Sequence, residues 1–369
     1  MKRKIYQKLL DWKNDSNNKP LMLLGARQVG KTYIIEKFCK NEFENFIHIN
    51  LLQDTKYVDL YNSNLDSNEK FNQLKVLLDF DIEKENTVFF IDEIQRSEKL
   101  ISELKYFCEV HNNVRIICAG SLLGVKLKRS KSSFPVGKVN MLYMYPMDFE
   151  EFLVANNKEL LIEEIKKCYQ LNKPMADVVH EKAMSLYRLY QITGGMPESV
   201  KNMVDVNCDV IKYNTNILSD IIDSYFKDMN TYVSNDSEAL KIERTYKSIP
   251  SQLSNESNKF QYSKIIKGAK SRDYDTAIDW LKASNMVELS HLVTAPLIPL
   301  NGFVNNDVFK IFINDIGILN NLLGIKIKDI LTDNISLYKG AIVENYVANQ
   351  LIQNGFDLYY WQSNGKAEI

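Results

Sequence analysis

The sequence predicts an α/β fold over about its first 150 residues, with a parallel β-sheet whose strands are connected by helices. Three observations support this prediction. Short apolar runs alternate with stretches in which apolar residues recur at helical spacing, as in a parallel sheet with helical crossovers. A segment with glycines at positions 25 and 30, residues 25–32, follows the first apolar run and leads into the first helical stretch. A later apolar run ends in two carboxylates, Asp92 and Glu93.

The same patterns place the individual elements of this region. We predict strands at 21–24, 46–50, 88–91, 114–119 and 139–143. We predict helices between them at 32–39, 69–80 and 100–110.

From about residue 149 the pattern changes to helices without strands. The predicted helices are 149–156, 160–170 and 178–192, followed by a turn at 193–197, further helices to about 232 and a polar linker at 230–237. Short helices, a helix at 274–283 and a strand at 286–289 then predict a small winged-helix module. The predicted domains are a sheet domain at 1–155, a helical lid at 156–235, a winged helix at 236–300 and the start of a small α+β domain at 301–369.

The last predicted domain contains a strand at 309–314, a helix at 341–353, a strand at 356–361 and a turn at 363–365. The second strand of the hairpin around that turn would be too short to pair. We therefore expect the natural protein to continue past Ile369, and a short frayed terminus is the alternative.

Residues 25–32 have the composition and spacing of a phosphate-binding loop. Without a Cβ at Gly25 or Gly30, the backbone can turn sharply and direct its N–H groups at a phosphate, assisted by the dipole of the next helix. Lys31 can neutralise the β- and γ-phosphate oxygens, and the Thr32 hydroxyl can bind Mg²⁺. The predicted nucleotide-binding residues are Gly25, Ala26, Arg27, Gln28, Val29, Gly30, Lys31 and Thr32.

Two later strand ends are predicted to face the same crevice as this loop. Asp92 and Glu93 end a buried strand about 60 residues after the loop, where Asp92 can orient Mg²⁺ and Glu93 can polarise an attacking water. Ser121 follows the next strand and could contact that water or the γ-phosphate, although an ordinary Gly-Ser turn is the alternative. The predicted catalytic residues are Glu93, Lys31 and Ser121. Adenine is favoured over guanine because the sequence lacks an Asn-Lys-x-Asp guanine-reading motif.

Composition limits the location and the partners. The 369 residues carry a formal net charge of -1, so nucleic acid or an anionic membrane could bind only through a local patch. Five scattered cysteines fit reduced thiols in the cytoplasm better than a disulfide framework. We found no signal peptide and no run near the about 18 to 20 apolar residues of a membrane span. The sequence therefore predicts a cytoplasmic protein.

Several segments together carry a family resemblance. They are residues 25–32, 92–96, 119–121, 134–139, 143–153, 194–198 and 339–345. With these motifs the chain resembles the additional-strand P-loop ATPases of the AAA+ and STAND type. More specifically, it is similar to a widespread prokaryotic family in which an AAA-type ATPase precedes a winged helix and a C-terminal restriction-endonuclease-like domain of unknown function.

The resemblance implies ATP and Mg²⁺ as cofactors, slow hydrolysis and movement of the helical lid, with Gly195 and Pro197 shaping the turn into it. Nuclease folds of the implied type carry a helix glutamate matching Glu344, with an Asp and a Glu-x-Lys on the hairpin that follows. The sequence ends before those residues, so we expect Glu344 to have no catalytic part. The loop at 126–138 offers Arg129 among many lysines as an arginine finger, and the sequence does not assign it that role.

Three functions remain open at the level of sequence. The leading one is an ATP-dependent molecular switch that presents a surface to an unknown protein partner. The second is ATP-regulated DNA binding, or association with a nuclease. The basic stretch 259–272 favours it, and Asp275 and Asp279 oppose it because phosphates would repel them. The third is an interaction module that binds nucleotide for structural stability. The sequence leaves the oligomeric state open.

Overall fold

The computed structural model describes residues 1–129, 135–231, 233, 235–254 and 259–363, except for the side chains of residues 128 and 129. The chain divides into two compact units, Arg3–Tyr145 and Pro146–Ile369, the second of which includes Met1–Lys2. The predicted turn at 363–365 lies largely outside the described residues, as do residue 134 of the family motif and the side chain of Arg129.

The first unit alternates strands and helices. In chain order its elements are α1 (Ile5–Asn14), β1 (Leu21–Leu24), α2 (Lys31–Glu42), β2 (Asn45–Asn50), α3 (Thr55–Asn62), α4 (Ser67–Leu78), β3 (Thr87–Asp92), α5 (Glu98–Glu109), β4 (Arg115–Ala119), α6 (Leu123–Arg129) and β5 (Asn140–Tyr143). A short 3₁₀ turn, Ile94–Arg96, connects β3 to α5.

The five strands form one parallel sheet in the order β2-β3-β4-β1-β5. Every residue of β1 and β3 is buried, whereas β2 and β5 at the edges are partly exposed. This agrees with the apolar runs, since the central strands of a parallel sheet are covered on both faces. Strand β4 lies between β1 and β3. It is the additional strand of the predicted fold. The predicted α/β fold class is confirmed.

All five predicted strands are present, but three helices of this unit, α1, α3 and α6, were not predicted. In α1 the apolar residues Ile5, Leu9 and Trp12 are buried at helical spacing within an otherwise polar segment. In α3 only Tyr57 and Tyr61 are buried. In α1 and α3 the apolar stripe is narrow, so tertiary contacts rather than a strong local pattern define these two helices.

The second unit begins with helices and continues with helices around a small sheet. Its elements are α7 (Phe149–Ala155), α8 (Glu159–Gln170), α9 (Asp177–Thr193), α10 (Pro197–Asp205), α11 (Asn216–Thr231), α12 (Asp236–Leu253), α13 (Ser271–Ala283), β6 (Val287–Val293), β7 (Val304–Ile313), α14 (Ile316–Leu322), α15 (Ile327–Leu331), α16 (Lys339–Gln353) and β8 (Tyr359–Tyr360). None of the helices in the described ranges combines the length and apolar character that a membrane crossing requires.

The small sheet has the order β7-β6-β8. Strand β6 pairs antiparallel with β7 and parallel with β8, and the β6–β7 register shifts between His291 and Leu292. The strands β6 and β7 lie on either side of residue 300, where a domain boundary was predicted. The first predicted boundary, at residue 155, also differs from the division between Tyr145 and Pro146. The polar linker is shorter than predicted, because α11 reaches Thr231 and α12 begins at Asp236.

A buried carboxylate organises the second unit. Asp315 is only 1% exposed and caps α14, accepting a hydrogen bond from the Ile318 N–H at 2.9 Å. Its other oxygen accepts from the Gly195 N–H at 2.6 Å, in the turn between α9 and α10. Burial raises the pKa of Asp315 to about 6, and the backbone N–H donors oppose the shift.

This carboxylate is expected to make the protein less stable as the pH rises through 6. Because the pKa is higher in the folded protein than its ordinary value of 3.8, the stabilisation is fully present below that value and is lost through about pH 6. Between pH 5 and 7 the free energy of unfolding should fall by about 1 kcal/mol more in the wild type than in Asp315→Asn. Urea unfolding at both pH values measures this difference.

Burial also raises the pKa of Glu288, to about 7. Glu288 therefore lowers the free energy of unfolding over the same pH range, but it does so equally in both proteins and cancels in the comparison. An equal pH dependence in wild type and Asp315→Asn would show that Asp315 does not titrate in this range.

Candidate nucleotide-binding site

The predicted phosphate loop lies between β1 and α2. Strand β1 ends at Leu24 and α2 begins at Lys31, with Gly30 at its N-terminus. Gly25 has φ +147° and Gly30 has φ +93°, which L side chains rarely adopt. Gln28 also has a positive φ of 65°, which the sequence did not indicate. Both glycines are therefore required by the backbone of the turn.

Close packing holds the loop in this shape. A Cβ on Gly25 would lie 2.2 Å from the carbonyl oxygen of Met144, so the chain after β5 leaves no room for a side chain. The Arg3 guanidinium donates to the carbonyl oxygens of Val29 at 3.0 Å and Tyr145 at 2.7 Å. Arg3 thus attaches the loop to the segment after β5, a role that sequence reasoning missed.

The Lys31 side chain lies inside its own loop. Its Nζ donates to the carbonyl oxygens of Gly25 and Ala26, both at 2.7 Å, and the residue is 7% exposed. A buried ammonium needs such acceptors. The loop therefore concentrates a positive charge beside the N-terminus of α2, the arrangement that anionic phosphate requires.

Thr32, at the start of α2, contacts Asp92, at the end of β3, although the two are 60 residues apart in sequence. The Thr32 hydroxyl donates to Asp92 Oδ2 at 3.0 Å, and Asp92 is 5% exposed at the end of β3. Hydroxyl and carboxylate oxygens are the ligands that Mg²⁺ prefers, and Mg²⁺ usually takes only one or two from the protein. The pair therefore fits the predicted Mg²⁺ site. Within the described ranges, no three His, Cys, Asp or Glu side chains form a metal-binding group.

His48 is a further neighbour of this pair. It lies on β2, stacked on the Phe90 ring at 4.5 Å, with Nδ1 3.6 Å from Glu36 Oε1 and Nε2 4.0 Å from Asp92 Oδ2. The predicted strand 46–50 contained His48, but nothing in its local pattern indicated that it would approach Asp92.

Glu93 follows Asp92 in a left-handed backbone conformation, with φ +56°. Burial, and then the negative charge of Asp92, raise the pKa of Glu93, while a hydrogen bond from Gln95 and the charges of Lys31 and Arg27 oppose the shift. The Gln95 amide donates to Glu93 Oε2 at 2.5 Å. A carboxylate with a raised pKa near a cationic loop is a candidate base.

Ser121 lies just beyond β4, separated from it by Gly120, and is partly buried. Because β4 lies between β1 and β3, its end is placed between the phosphate loop and the Asp92–Glu93 pair. The role predicted for Ser121 stays a prediction.

The comparisons with known proteins agree with this geometry. Residues 17–153 match the family model described as an AAA domain. This region, which contains the loop 25–32 and Asp92, is therefore similar to AAA domains. Residues 184–329 of the second unit match a domain of unknown function, DUF8612. A comparison with the curated proteins gives no match.

Solved structures resemble this chain over most of its length. The Walker-type ATPase PABY2304 of Pyrococcus abyssi is 16% identical, with a TM-score of 0.51, over 86% of this chain and 94% of that one. The ORC2 protein of Aeropyrum pernix, solved as ADPNP and ADP complexes, is 12% identical, with a TM-score of 0.40, over 90% and 94% of the two chains. The first of these likenesses shows a shared fold.

Proposed function

We propose that this protein is a cytoplasmic molecular switch of the AAA type that binds ATP with Mg²⁺ and hydrolyses it. The contact between Thr32 and Asp92 carries the proposal, because it brings a hydroxyl and a carboxylate together beside the Lys31 ammonium. Five free cysteines in the described residues fit a reducing compartment.

The proposed roles follow the positions of the side chains. Residues 25–32 hold the phosphates through backbone N–H groups, and Lys31 exchanges its loop carbonyls for phosphate oxygens. Thr32 and Asp92 hold Mg²⁺, which when bound neutralises charge on the phosphates. Glu93 accepts a proton from the attacking water, and Ser121 contacts the water or the γ-phosphate.

Lys31→Ala is expected to weaken ATP binding by about 100-fold or more, because hydrogen bonds from a charged donor to phosphate are lost. Titration with a fluorescent ATP analogue in Mg²⁺ buffer measures this loss. Lys40→Ala on the same helix is the matched control. Lys40 makes an exposed pair with Glu36 at 3.0 Å and should leave the affinity within about 2-fold. Equal affinities of the two variants would contradict the role of Lys31.

The switch requires that nucleotide change the second unit. We propose that residues 156–235 act as a lid and that 236–300 form a winged helix that presents a surface to a protein partner. Hydrogen exchange in α9, α10 and α11, measured with and without ATP and Mg²⁺, tests this step. Unchanged exchange throughout these helices would exclude a nucleotide-driven lid and favour an interaction module whose nucleotide is structural.

DNA binding is the second candidate. The residues Lys264, Lys267, Lys270 and Arg272 are exposed before and at the start of α13, which supports it. Asp275 and Asp279 are also exposed, on α13 itself, and would repel phosphates. Fluorescence polarisation with duplex DNA at two salt concentrations distinguishes the candidates, and binding that weakens with salt would favour DNA.

The nuclease-like assignment of residues 301–369 is also a proposal. Glu344, on α16, forms an ion pair with Lys310 of β7, which is only 1% exposed. Compensation of a buried ammonium is a structural role for this carboxylate, which supports the expectation that Glu344 has no catalytic part.

A further inference from the structure

Gln95 is a buried amide in contact with the proposed base. It lies on the 3₁₀ turn directly after Glu93 and is 5% exposed. Its Nε2 donates to Glu93 Oε2 at 2.5 Å, a hydrogen bond to a carboxylate that is itself partly buried. One of the two Glu93 oxygens is therefore held by Gln95.

The other end of the same amide is packed against the end of β4. A Cβ added to Gly120 would lie 1.8 Å from Gln95 Oε1 and 2.8 Å from its Cδ. The φ angle of Gly120 is outside the left-handed range, so the backbone does not require glycine there. The space for the Gln95 amide does require it.

The orientation of the amide follows from its neighbours. Gln95 Oε1 is buried and has no hydrogen-bond partner among the described residues. Exchanging the two ends of the amide would place Oε1 against the Glu93 carboxylate, where two acceptors would repel each other. An unsatisfied buried acceptor is unfavourable, so its retention indicates that the contact with Glu93 determines the arrangement.

We propose that Gln95 is a positioning residue for Glu93 and that Gly120 leaves the space that the Gln95 amide occupies. By holding Oε2, Gln95 leaves Oε1 of Glu93 in a defined direction toward the attacking water. Because Gly120 directly follows β4 and precedes Ser121, the Gln95 side chain also connects the end of β3 with the end of β4. This inference rests on the proposed function, in which Glu93 acts as the base.

The decisive variant is Gln95→Leu, which keeps the approximate volume and removes the donor. We expect kcat for ATP hydrolysis to fall about 10-fold or more, with KM and the affinity for a fluorescent ATP analogue within about 2-fold. Gln252→Leu is the matched control. Gln252 is also a buried glutamine, 3% exposed, but it accepts from the Gln261 N–H at 2.7 Å in the second unit. It should leave kcat unchanged.

Two double variants test whether Gln95 acts through the Glu93 carboxylate and whether Gly120 acts through the Gln95 amide. In the Glu93→Gln background, Gln95→Leu should change the residual rate by less than about 2-fold, since it acts through the carboxylate. Gly120→Ala should lower kcat as Gln95→Leu does, by displacing the amide. Gln95→Ala combined with Gly120→Ala should be no slower than Gln95→Ala alone.

The outcomes separate this inference from the proposed function. If Glu93→Gln abolishes hydrolysis but Gln95→Leu keeps the wild-type kcat, the positioning role is overturned while the role of Glu93 stands. Equal losses in both Glu93 backgrounds, or a fall in ATP affinity that matches the fall in kcat, would also overturn it. If Glu93→Gln hydrolyses ATP at the wild-type rate, the proposed base is wrong and the inference fails with it.

Discussion

Glu93→Gln is expected to lower the rate of ATP hydrolysis by about 10² to 10⁴-fold, because a general base is lost. The affinity for ATP should stay within about 2-fold of the wild type. The amide has nearly the same shape as the carboxylate but cannot accept the proton of the water. Binding survives because the variant leaves Lys31, Thr32 and Asp92 in place, and burial already disfavours the charge on Glu93. Steady-state phosphate release and titration with a fluorescent ATP analogue measure the two quantities.

Glu109→Gln is the control for a glutamate of the same unit. Glu109 lies at the end of α5 and pairs with Lys138 at 2.8 Å on the surface, so its loss should not change the rate. Equal hydrolysis by wild type and Glu93→Gln would refute the role of Glu93. Absence of turnover in the wild type, with ATP bound, would instead favour a structural nucleotide.

Gly195→Ala is expected to destabilise the second unit by about 3 kcal/mol. The added Cβ would lie 1.9 Å from the carbonyl oxygen of Met147 and 2.7 Å from its nitrogen. These backbone atoms cannot easily withdraw, because the Met147 N–H donates to the Gly195 carbonyl at 2.7 Å and the Tyr190 hydroxyl donates to the Met147 carbonyl at 2.7 Å. Urea unfolding followed by circular dichroism measures the change in the free energy of unfolding.

Gly340→Ala is the matched control in the same unit. Gly340 lies in α16 with no atom within 4 Å of an added Cβ, so alanine should stabilise the helix by about 0.5 to 1 kcal/mol. A Gly195→Ala protein as stable as wild type would show that the turn before α10 can open without cost.

Much of the sheet and part of the site could be predicted because their signals are local. Apolar runs identified the five strands, most clearly the central ones, since a strand covered on both faces must be apolar along its length. The two glycines of the loop could be interpreted because positive φ is a property of a single residue. Spacing along the chain identified Asp92 as a partner of the loop, and the structure brings it within 3.0 Å of Thr32.

Other parts could not be predicted because they depend on residues far apart in the chain. Arg3 reaches Val29 and Tyr145, and Asp315 accepts from Gly195, 120 positions away. No local pattern indicates such contacts. The pairing of β6 with β7 across residue 300 could not be predicted for the same reason, since register and packing determine the partner of a strand.

The sequence by itself determined the α/β class and predicted the phosphate loop with its candidate nucleotide-binding residues, because short motifs encode backbone conformation and ligand chemistry. The tertiary structure alone decided how those residues are supported. It placed His48 beside Asp92, and it packed Gln95 between Glu93 and Gly120. It also buried Asp315 under the Gly195 turn. These contacts arise from close packing, in which the available space and the partner of each polar group depend on the whole fold.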